Sequence, residues 1–286
     1  MKTIKTKSIL FLLALLLLPN FPCPAQEQSS RDIILRAMKD EMNRNISRLY
    51  FENMERPFFI SYSICDAKTL EVNATLGSIV DSEEYRYRSR NVRVMVGDYS
   101  LNDENFQGYT GSYGSSMLQG SDRLPLEDDY QGIRRAFWIS TDNTYKSAVE
   151  LFEHKKAALE QQVRDDDVAG LEDFSRAPVV TYTEKPRTYE IKQKEWEKTA
   201  EKLSGVFKDY PDVFSSQVRI FLYQADMFFV NAEGTELIQP LTLAVIQINA
   251  YTQAVDGEPL SNHIMFCCSV PDNFFSSILD INAIHQ

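Results

Sequence analysis

Histidines are the first residues of this sequence to consider for metal or acid–base chemistry. A zinc peptidase helix needs the pattern His-Glu-x-x-His, because two imidazoles must share one face of the helix. The three histidines, His154, His263 and His285, lie too far apart in the sequence for that pattern. His154 lies within a predicted helix beside Lys155 and Lys156, where a surface position is the favoured interpretation.

Acidic and hydroxyl side chains offer two further possibilities. Glu127, Asp128 and Asp129 could bind a cation, but without the alternating spacing of a calcium loop a solvated acidic turn is favoured. A serine nucleophile would need Gly-x-Ser-x-Gly between a strand and a helix, and the segment GSYG at 111–114 is better interpreted as a loop. No P-loop and no Gly-x-Gly-x-x-Gly occurs. The sequence therefore predicts no catalytic residue, no metal ligand and no cofactor.

Three arginines, Arg86, Arg88 and Arg90, alternate along a predicted strand, in phase with valines at positions 92, 94 and 96. The row could meet a carboxylate partner, but a solvated face or pairing across strands is favoured. One face of a regular strand cannot be both solvent-exposed and core. We therefore expect a bulge or a change of neighbours near residues 89–91.

Composition describes an acidic globular protein. The 286 residues contain 30 Lys and Arg against 41 Asp and Glu, a net charge of -11, and 43% are hydrophobic. This is enough for one large domain or two small ones with a full core. Nucleic acid is not predicted as a partner, because phosphate binding needs a basic face.

The first 25 residues predict a secretory signal peptide. Lysines precede a nearly unbroken apolar run over 9–18, and the segment ends Cys23-Pro24-Ala25. The run is too short for a permanent membrane span. We expect cleavage near Ala25 and export to the periplasm or the extracellular space. A lipoprotein anchored through Cys23 is the alternative, which the bulky residues before that cysteine disfavour.

Export leaves Cys65, Cys267 and Cys268 in the mature chain. Disulfides are permitted outside the cytosol, but three thiols cannot all pair within one chain. Cys267 and Cys268 are adjacent in a predicted strand and should point to opposite faces. They are interpreted as small core or half-core side chains. A bridge from Cys65 to one of them is the alternative.

Hydrophobic periodicity predicts an α+β fold with about four helices and seven strands, largely antiparallel or mixed. Helices are predicted at 31–50, from 133, from Thr141 or Asp142 to 163, and at 193–208. Strands are predicted at 58–66 and 69–80 (joined by a turn at Ala67-Lys68), 83–97, 217–225, 226–234, 242–254 and 263–270. Residues 98–129 are predicted as a long loop and 164–187 as a linker. Residues 26–170 and 171–286 are thus predicted as two modules, which could also form one compact domain.

Aromatic residues are numerous, with 14 Tyr and 17 Phe, and many fall on predicted strands. Some belong in the core. Any surplus on a solvent-exposed face would mark a protein-binding surface.

Nine segments, taken in order, carry a family resemblance. They are RAMKDEMNRN (36–45), RPFFISYSICD (56–66), NATLGSIV (73–80), RSRNVRVMVGDYSLNDENF (88–106), KKAALEQQ (155–162), EDFSRAPVV (172–180), YPDVFSSQVRIFL (210–222), FFVNAEGTEL (228–237) and TQAVDGEPL (252–260). Together they resemble the N-terminal part of TldD/PmbA-like proteins, the metalloprotease-related family once called modulator of DNA gyrase. The secreted bacterial branch is the most similar.

This resemblance implies a module that helps to form a dimer and lines an inner substrate chamber. In the family, a helix with His-Glu-x-x-x-His and a later cysteine bind the catalytic metal in the C-terminal half, and this sequence ends before that half. No catalytic or metal residue is therefore carried over, and Cys267 and Cys268 do not lie in the family's ligand context. The companion TldE-type subunit also lacks the metal site.

Three functional hypotheses follow. The first is an exported, non-catalytic protein that associates with itself or with a metallopeptidase-type subunit. The second is a stand-alone secreted hydrolase that uses the acidic loop or His263, and the third is a truncated or split metallopeptidase whose catalytic half is encoded separately. The first predicts an apolar or aromatic docking face. The second predicts polar residues with shifted pKa values that converge in a cleft.

Overall fold

The computed structural model describes residues 29–52, 54–106, 123–161, 171–187 and 189–269. Its helices are α1 (Ser30–Arg48), α2 (Tyr130–Gln161) and α3 (Gln193–Gly205), which a 3-10 helix (Val206–Asp209) follows. Its strands are β1 (Pro57–Thr75), β2 (Ser78–Val96), β3 (Arg123–Leu124), β4 (Thr181–Thr183), β5 (Ser215–Asn231), β6 (Glu236–Gln253) and β7 (Pro259–Cys268). The predicted α+β class is confirmed. The predicted signal peptide, the segment GSYG, residues 164–170 of the linker and His285 lie outside the described residues.

All seven strands form one sheet in the order β3-β2-β1-β5-β6-β4, with β7 also paired to β6. Every pairing is antiparallel except that of the short β4 with β6. Strands from both predicted modules meet at its centre, where β1 pairs with β5. The division between residues 170 and 171 stays a prediction. No helix of the described ranges is long and apolar enough to cross a membrane.

Two of the predicted strand breaks are wrong. Ala67 does not turn, because it pairs with Tyr87 on one side and with Ala225 on the other within the continuous strand β1. The chain turns instead at Leu76 and Gly77, which both have positive φ, a conformation that glycine adopts without strain. Residues 217–225 and 226–234 likewise form one strand, β5, which ends at Asn231.

The predicted helix break at Thr141 or Asp142 is also wrong, since α2 continues through both residues. The Thr141 hydroxyl donates to the Phe137 carbonyl at 2.7 Å, an i−4 bond that a helix accommodates. The described residues therefore contain three α-helices where four were predicted.

Among the described residues, the helices cover one face of the sheet only. On β1, β5 and β6 the even-numbered side chains meet the helices, because side chains alternate along a strand. A first core joins α1 and α2 to one half of the sheet through Ile34, Met38, Phe137, Phe152, Ile60, Tyr62, Ile64, Phe228 and Val230, among others. A second core joins α3 to the other half through Trp196, Ala200, Leu203, Leu70, Val72, Ile220, Leu222, Ala244 and Ile246, among others.

A row of polar residues separates the two cores on this covered face, and we call it the polar seam. Its members are Asp66 and Lys68 of β1, Glu84, Arg86 and Arg88 of β2, and Gln224 and Asp226 of β5. Arg31 of α1 forms an ion pair with Asp226 and donates to the Glu184 carbonyl at 2.7 Å. The expected bulge near residues 89–91 is absent, because the β1–β2 register is continuous there. The strand instead changes neighbours, from the seam to the valines of the first core.

Tyr62 connects both helices of the first core to the sheet. Its buried hydroxyl accepts from the Asn45 amide of α1 at 2.8 Å and lies 2.6 Å from the Thr141 hydroxyl of α2. Burial raises the pKa of Tyr62 to about 12, which keeps the phenol neutral.

We expect Tyr62→Phe to lower the free energy of unfolding by about 1–3 kcal/mol, because Asn45 and Thr141 lose a buried partner. Tyr85→Phe is the control, since the Tyr85 side chain is exposed. Urea unfolding followed by circular dichroism measures both. Equal effects of the two substitutions would contradict this role of Tyr62.

Candidate docking face

The odd-numbered side chains of β1, β5 and β6, and those of β2 from residue 81 onwards, project away from the helices. We call this side of the sheet the open face. Its larger apolar members are Tyr85, Tyr87, Phe221, Tyr223, Met227, Phe229, Leu237, Leu241, Leu243, Val245 and Met265. Leu241 is 50% exposed and Met265 is 63% exposed. The surplus of aromatic residues noted in the sequence thus lies in part on a solvent-accessible sheet surface.

Stacked aromatic pairs hold several side chains of the open face in a fixed arrangement. Tyr85 and Tyr87 stack with ring centroids 5.9 Å apart, and Phe221 and Tyr223 stack at 6.3 Å. The Arg123 guanidinium lies 5.4 Å from the Tyr85 ring. Such pairs hold large rings in place before a partner arrives, which lowers the entropy lost on binding.

Cys65 lies among these rings, with its Sγ 3.1 Å from the Tyr223 hydroxyl. Burial, followed by the contact with Cys65, raises the pKa of Tyr223, so the phenol stays neutral. The alternative of a bridge from Cys65 to Cys267 or Cys268 is wrong in this structure, because no disulfide joins these residues. Two strands separate β1 from β7, a distance of about 14 Å, which is beyond the reach of a disulfide. Cys267 is exposed and Cys268 packs against the second core, so they point to opposite faces as predicted.

The structure does not bring the histidines of the described residues together. His154 is exposed on α2, 4.0 Å from Glu150, and His263 is exposed on β7. No group of three potential metal ligands occurs among the described residues. The acidic cluster is built into the start of α2, where Asp129 accepts from the Gln131 amide at 3.0 Å.

The arginine row makes pairs across strands, as favoured. Arg88 is fully buried, and its Nη2 donates to Asp66 at 2.6 Å and to Asp128 at 2.9 Å. Its Nη1 donates to the carbonyls of Pro125 and Glu127, both at 3.3 Å. Asp128 therefore belongs to an ion pair, but the residue stays exposed, as do Glu127 and Asp129, which agrees with the solvated acidic turn. Nothing in the sequence spacing links Asp128 to Arg88, so the sequence could not reveal this pair.

We expect Arg88→Met to lower the free energy of unfolding by about 3–5 kcal/mol, because Asp66 loses its buried counter-charge. Arg86→Met is the matched control. The Arg86 side chain contacts the same carboxylate at 3.4 Å but is 51% exposed, so its loss should cost less than about 1 kcal/mol. Guanidinium unfolding curves measure the free energy of unfolding of both variants. Similar losses would contradict a larger contribution from buried Arg88 than from exposed Arg86.

A second polar cluster surrounds the loop after β2. Asp103 is 4% exposed and accepts from the Val96 amide at 2.8 Å. Burial raises the pKa of Asp103 to about 7. Buried Lys155 pairs with Asp173 and donates to the Glu104 carbonyl at 2.6 Å. These partners hold loop segments together, so the shifted pKa gives no support to the hydrolase hypothesis.

The raised pKa of Asp103 predicts a pH dependence of stability. Asp103 keeps its proton up to about pH 7 in the folded state but loses it near pH 4 when unfolded. The folded state binds more protons between these values, so stability falls as pH rises from about 4 to about 7, by at most about 4 kcal/mol. Asp103→Asn keeps an acceptor for the Val96 amide but cannot titrate, so this variant should lose the part of the pH dependence that Asp103 causes. Thermal unfolding of both proteins between pH 4 and pH 7 measures this difference. An unchanged pH dependence in the variant would count against a raised pKa of Asp103.

Comparison with known proteins identifies the fold. No protein-family model matches the sequence, and no curated protein matches it. Three similar solved structures are TldE from Thermococcus kodakarensis (8% identity, TM-score 0.46) and putative modulators of DNA gyrase from Thermotoga maritima (10%, 0.44) and Bacteroides thetaiotaomicron (7%, 0.50). They cover 88%, 82% and 86% of this chain, respectively.

The chain has an α+β fold similar to that of the Bacteroides thetaiotaomicron structure. It spans 46%, 44% and 46% of the lengths of the three solved structures, less than half of each. The resemblance to TldD/PmbA-like proteins is therefore confirmed for the fold.

Proposed function

We propose that this protein is an exported, non-catalytic module that acts by association, with itself or with a metallopeptidase-type subunit. The open face is the observation that carries the proposal. A monomeric soluble protein rarely exposes a continuous apolar surface of this kind without a binding role. The fold likeness to the gyrase modulator from Bacteroides thetaiotaomicron, at a TM-score of 0.50, supports the family on which the proposal draws.

The occupant that we assign to the open face is a metallopeptidase-type subunit. Met227 and Leu241 are exposed near the centre of the face, on the adjacent strands β5 and β6. The stacked pairs Tyr85–Tyr87 and Phe221–Tyr223 lie on β2 and β5. Rigid aromatic anchors around exposed aliphatic side chains are typical of the buried centre of an interface. The metal chemistry of the assembly would then come from the partner.

Light scattering on the mature chain (26–286), together with metal analysis of the same peak, tests the proposal. The chain alone should contain no stoichiometric metal. Mixed with a TldD-type subunit that carries His-Glu-x-x-x-His, it should form a complex. We expect Met227→Glu combined with Leu241→Glu to weaken that complex at least about tenfold, because two charges would be buried without partners.

Val255→Glu is the control, because Val255 is an exposed apolar residue in the turn between β6 and β7, outside the strands of the sheet. Stoichiometric zinc in a monomer would overturn the proposal, and His154, His263 and Cys267 would then be the first residues to substitute. A complex that Met227→Glu combined with Leu241→Glu leaves intact would exclude the open face as the binding surface. An adjacent reading frame with the His-Glu-x-x-x-His pattern would favour the split metallopeptidase.

A further inference from the structure

Three side chains that can bind a soft metal ion alternate along β7. His263, Met265 and Cys267 lie two residues apart, and each of them is exposed. The residues between them turn the other way, since Phe266 and Cys268 pack against the second core. Because successive side chains of a strand point to opposite faces, the three ligands form a row on the open face. We call this set the soft-ligand row.

The spacing of the row decides which of its members can share an ion. Residues two apart in a strand have Cα atoms about 6.6 Å apart, and residues four apart about 13 Å. His263 and Cys267 are therefore too far apart to bind one ion together. Met265 lies within reach of either neighbour, because its thioether ends a long, flexible side chain. Histidine, cysteine and carboxylates alone form no group of three in the described part of the chain, so this methionine completes the site.

The strand opposite the row offers no charged ligand. The partners of the row on β6 are Val245, Gln247 and Asn249. Neither the paired part of β6, residues 244–253, nor β7 contains an acidic residue. Calcium and magnesium prefer carboxylate oxygens, and a structural zinc ion needs four ligands. Thiolate and thioether ligands instead select monovalent copper.

We propose that Met265 and Cys267 bind one monovalent copper ion, Cu(I), between their sulfur atoms. Cu(I) is stable with two sulfur ligands, and this part of the row supplies two. The Cys267 thiol gives up its proton as the ion binds, and the resulting thiolate neutralises the charge of the ion. His263, on the other side of Met265, offers the ion a second and weaker position. This inference goes beyond the proposed function, because copper binding needs no protein partner.

The exposure of the Cys267 thiol supports the assignment. Cys267 is exposed and forms no disulfide in this structure. In the exported protein that we propose, such a thiol oxidises or forms mixed disulfides unless it is protected, and a bound soft ion protects it. Cys65 has a different environment, since it is half-buried and its Sγ lies 3.1 Å from the Tyr223 hydroxyl.

The soft-ligand row lies apart from the two residues assigned to the centre of the docking surface. Met227 is on β5, and Leu241 of β6 comes before Ala244, where the pairing with β7 begins. Copper binding and subunit binding can therefore be measured separately.

Titration of the mature chain (26–286), first freed of metal with a chelator, tests the site. Ascorbate keeps the copper as Cu(I) in the absence of oxygen, and the coloured chelator bicinchoninate competes for it. We expect one Cu(I) per chain, with an affinity that rises with pH because binding releases the Cys267 proton. Cys267→Ser and Met265→Leu should each lower the affinity at least about tenfold. X-ray absorption at the copper edge should show sulfur neighbours in the wild type.

Cys65→Ser and Cys268→Ser are the matched controls, because each removes one thiol from outside the row. Both should keep the wild-type affinity for Cu(I). His263→Gln should weaken binding less than either substitution of a sulfur ligand. Circular dichroism checks that each variant is folded, and we expect this of the Met265 and Cys267 variants because both positions are exposed.

Three results would overturn the inference. They are no binding of Cu(I) by the wild type, an unchanged affinity in Met265→Leu, and tighter binding of Zn²⁺ than of Cu(I). Loss of binding in Cys65→Ser or Cys268→Ser would assign the copper to a different thiol and would equally contradict the site. Binding of the metallopeptidase-type subunit to the metal-free chain is measured through Met227 and Leu241, so either proposal can fail while the other holds.

Discussion

The shared register of β1, β5 and β6 is the constraint on which the rest of the structure depends. These strands pair over most of their length without a slip between β1 and β5 or between β5 and β6. A slip of one residue would turn Ile60, Tyr62 and Ile64 to the open face and would bury polar residues in their place. Each such apolar side chain contributes about 1.5–3 kcal/mol on burial, so the register is strongly specified. The cores on one side and the open face on the other are two results of this one alternation.

The polar seam divides what would otherwise be one long apolar layer. α1 and α2 pack on one side of it and α3 on the other, so the sheet carries two separate cores. Buried Arg88 remains compatible with this position because Asp66, Asp128 and two carbonyls supply its partners. This is why arginines and valines follow each other in one phase along β2.

The seam also explains what the sequence could and could not predict. α1 and α3 were predicted correctly, because their apolar residues recur at helical spacing along a single core. Two strands were each split at their middles, at Ala67-Lys68 and at Asp226, since polar residues there interrupt the apolar alternation like a turn. The alternation itself does not distinguish a polar row inside a sheet from the end of a strand. The aromatic surplus pointed to a docking face, but its position required the register, which only the folded sheet supplies.

The central pairing of β1 with β5 joins segments that lie far apart in the chain. β1 ends at Thr75 and β5 begins at Ser215, with α2, α3 and the intervening segments between them. At a synthesis rate of about 5–20 residues per second, β5 follows β1 by about 7–28 s. During that interval the edge of β1 that later pairs with β5 is unpaired along its whole length. The apolar side of the β1–β2 hairpin also lacks the core residues that β5 and β6 supply. Residues 215–231 therefore set the moment at which the nascent protein can acquire its final shape, and chaperones have that long to protect the hairpin from pairing with another chain.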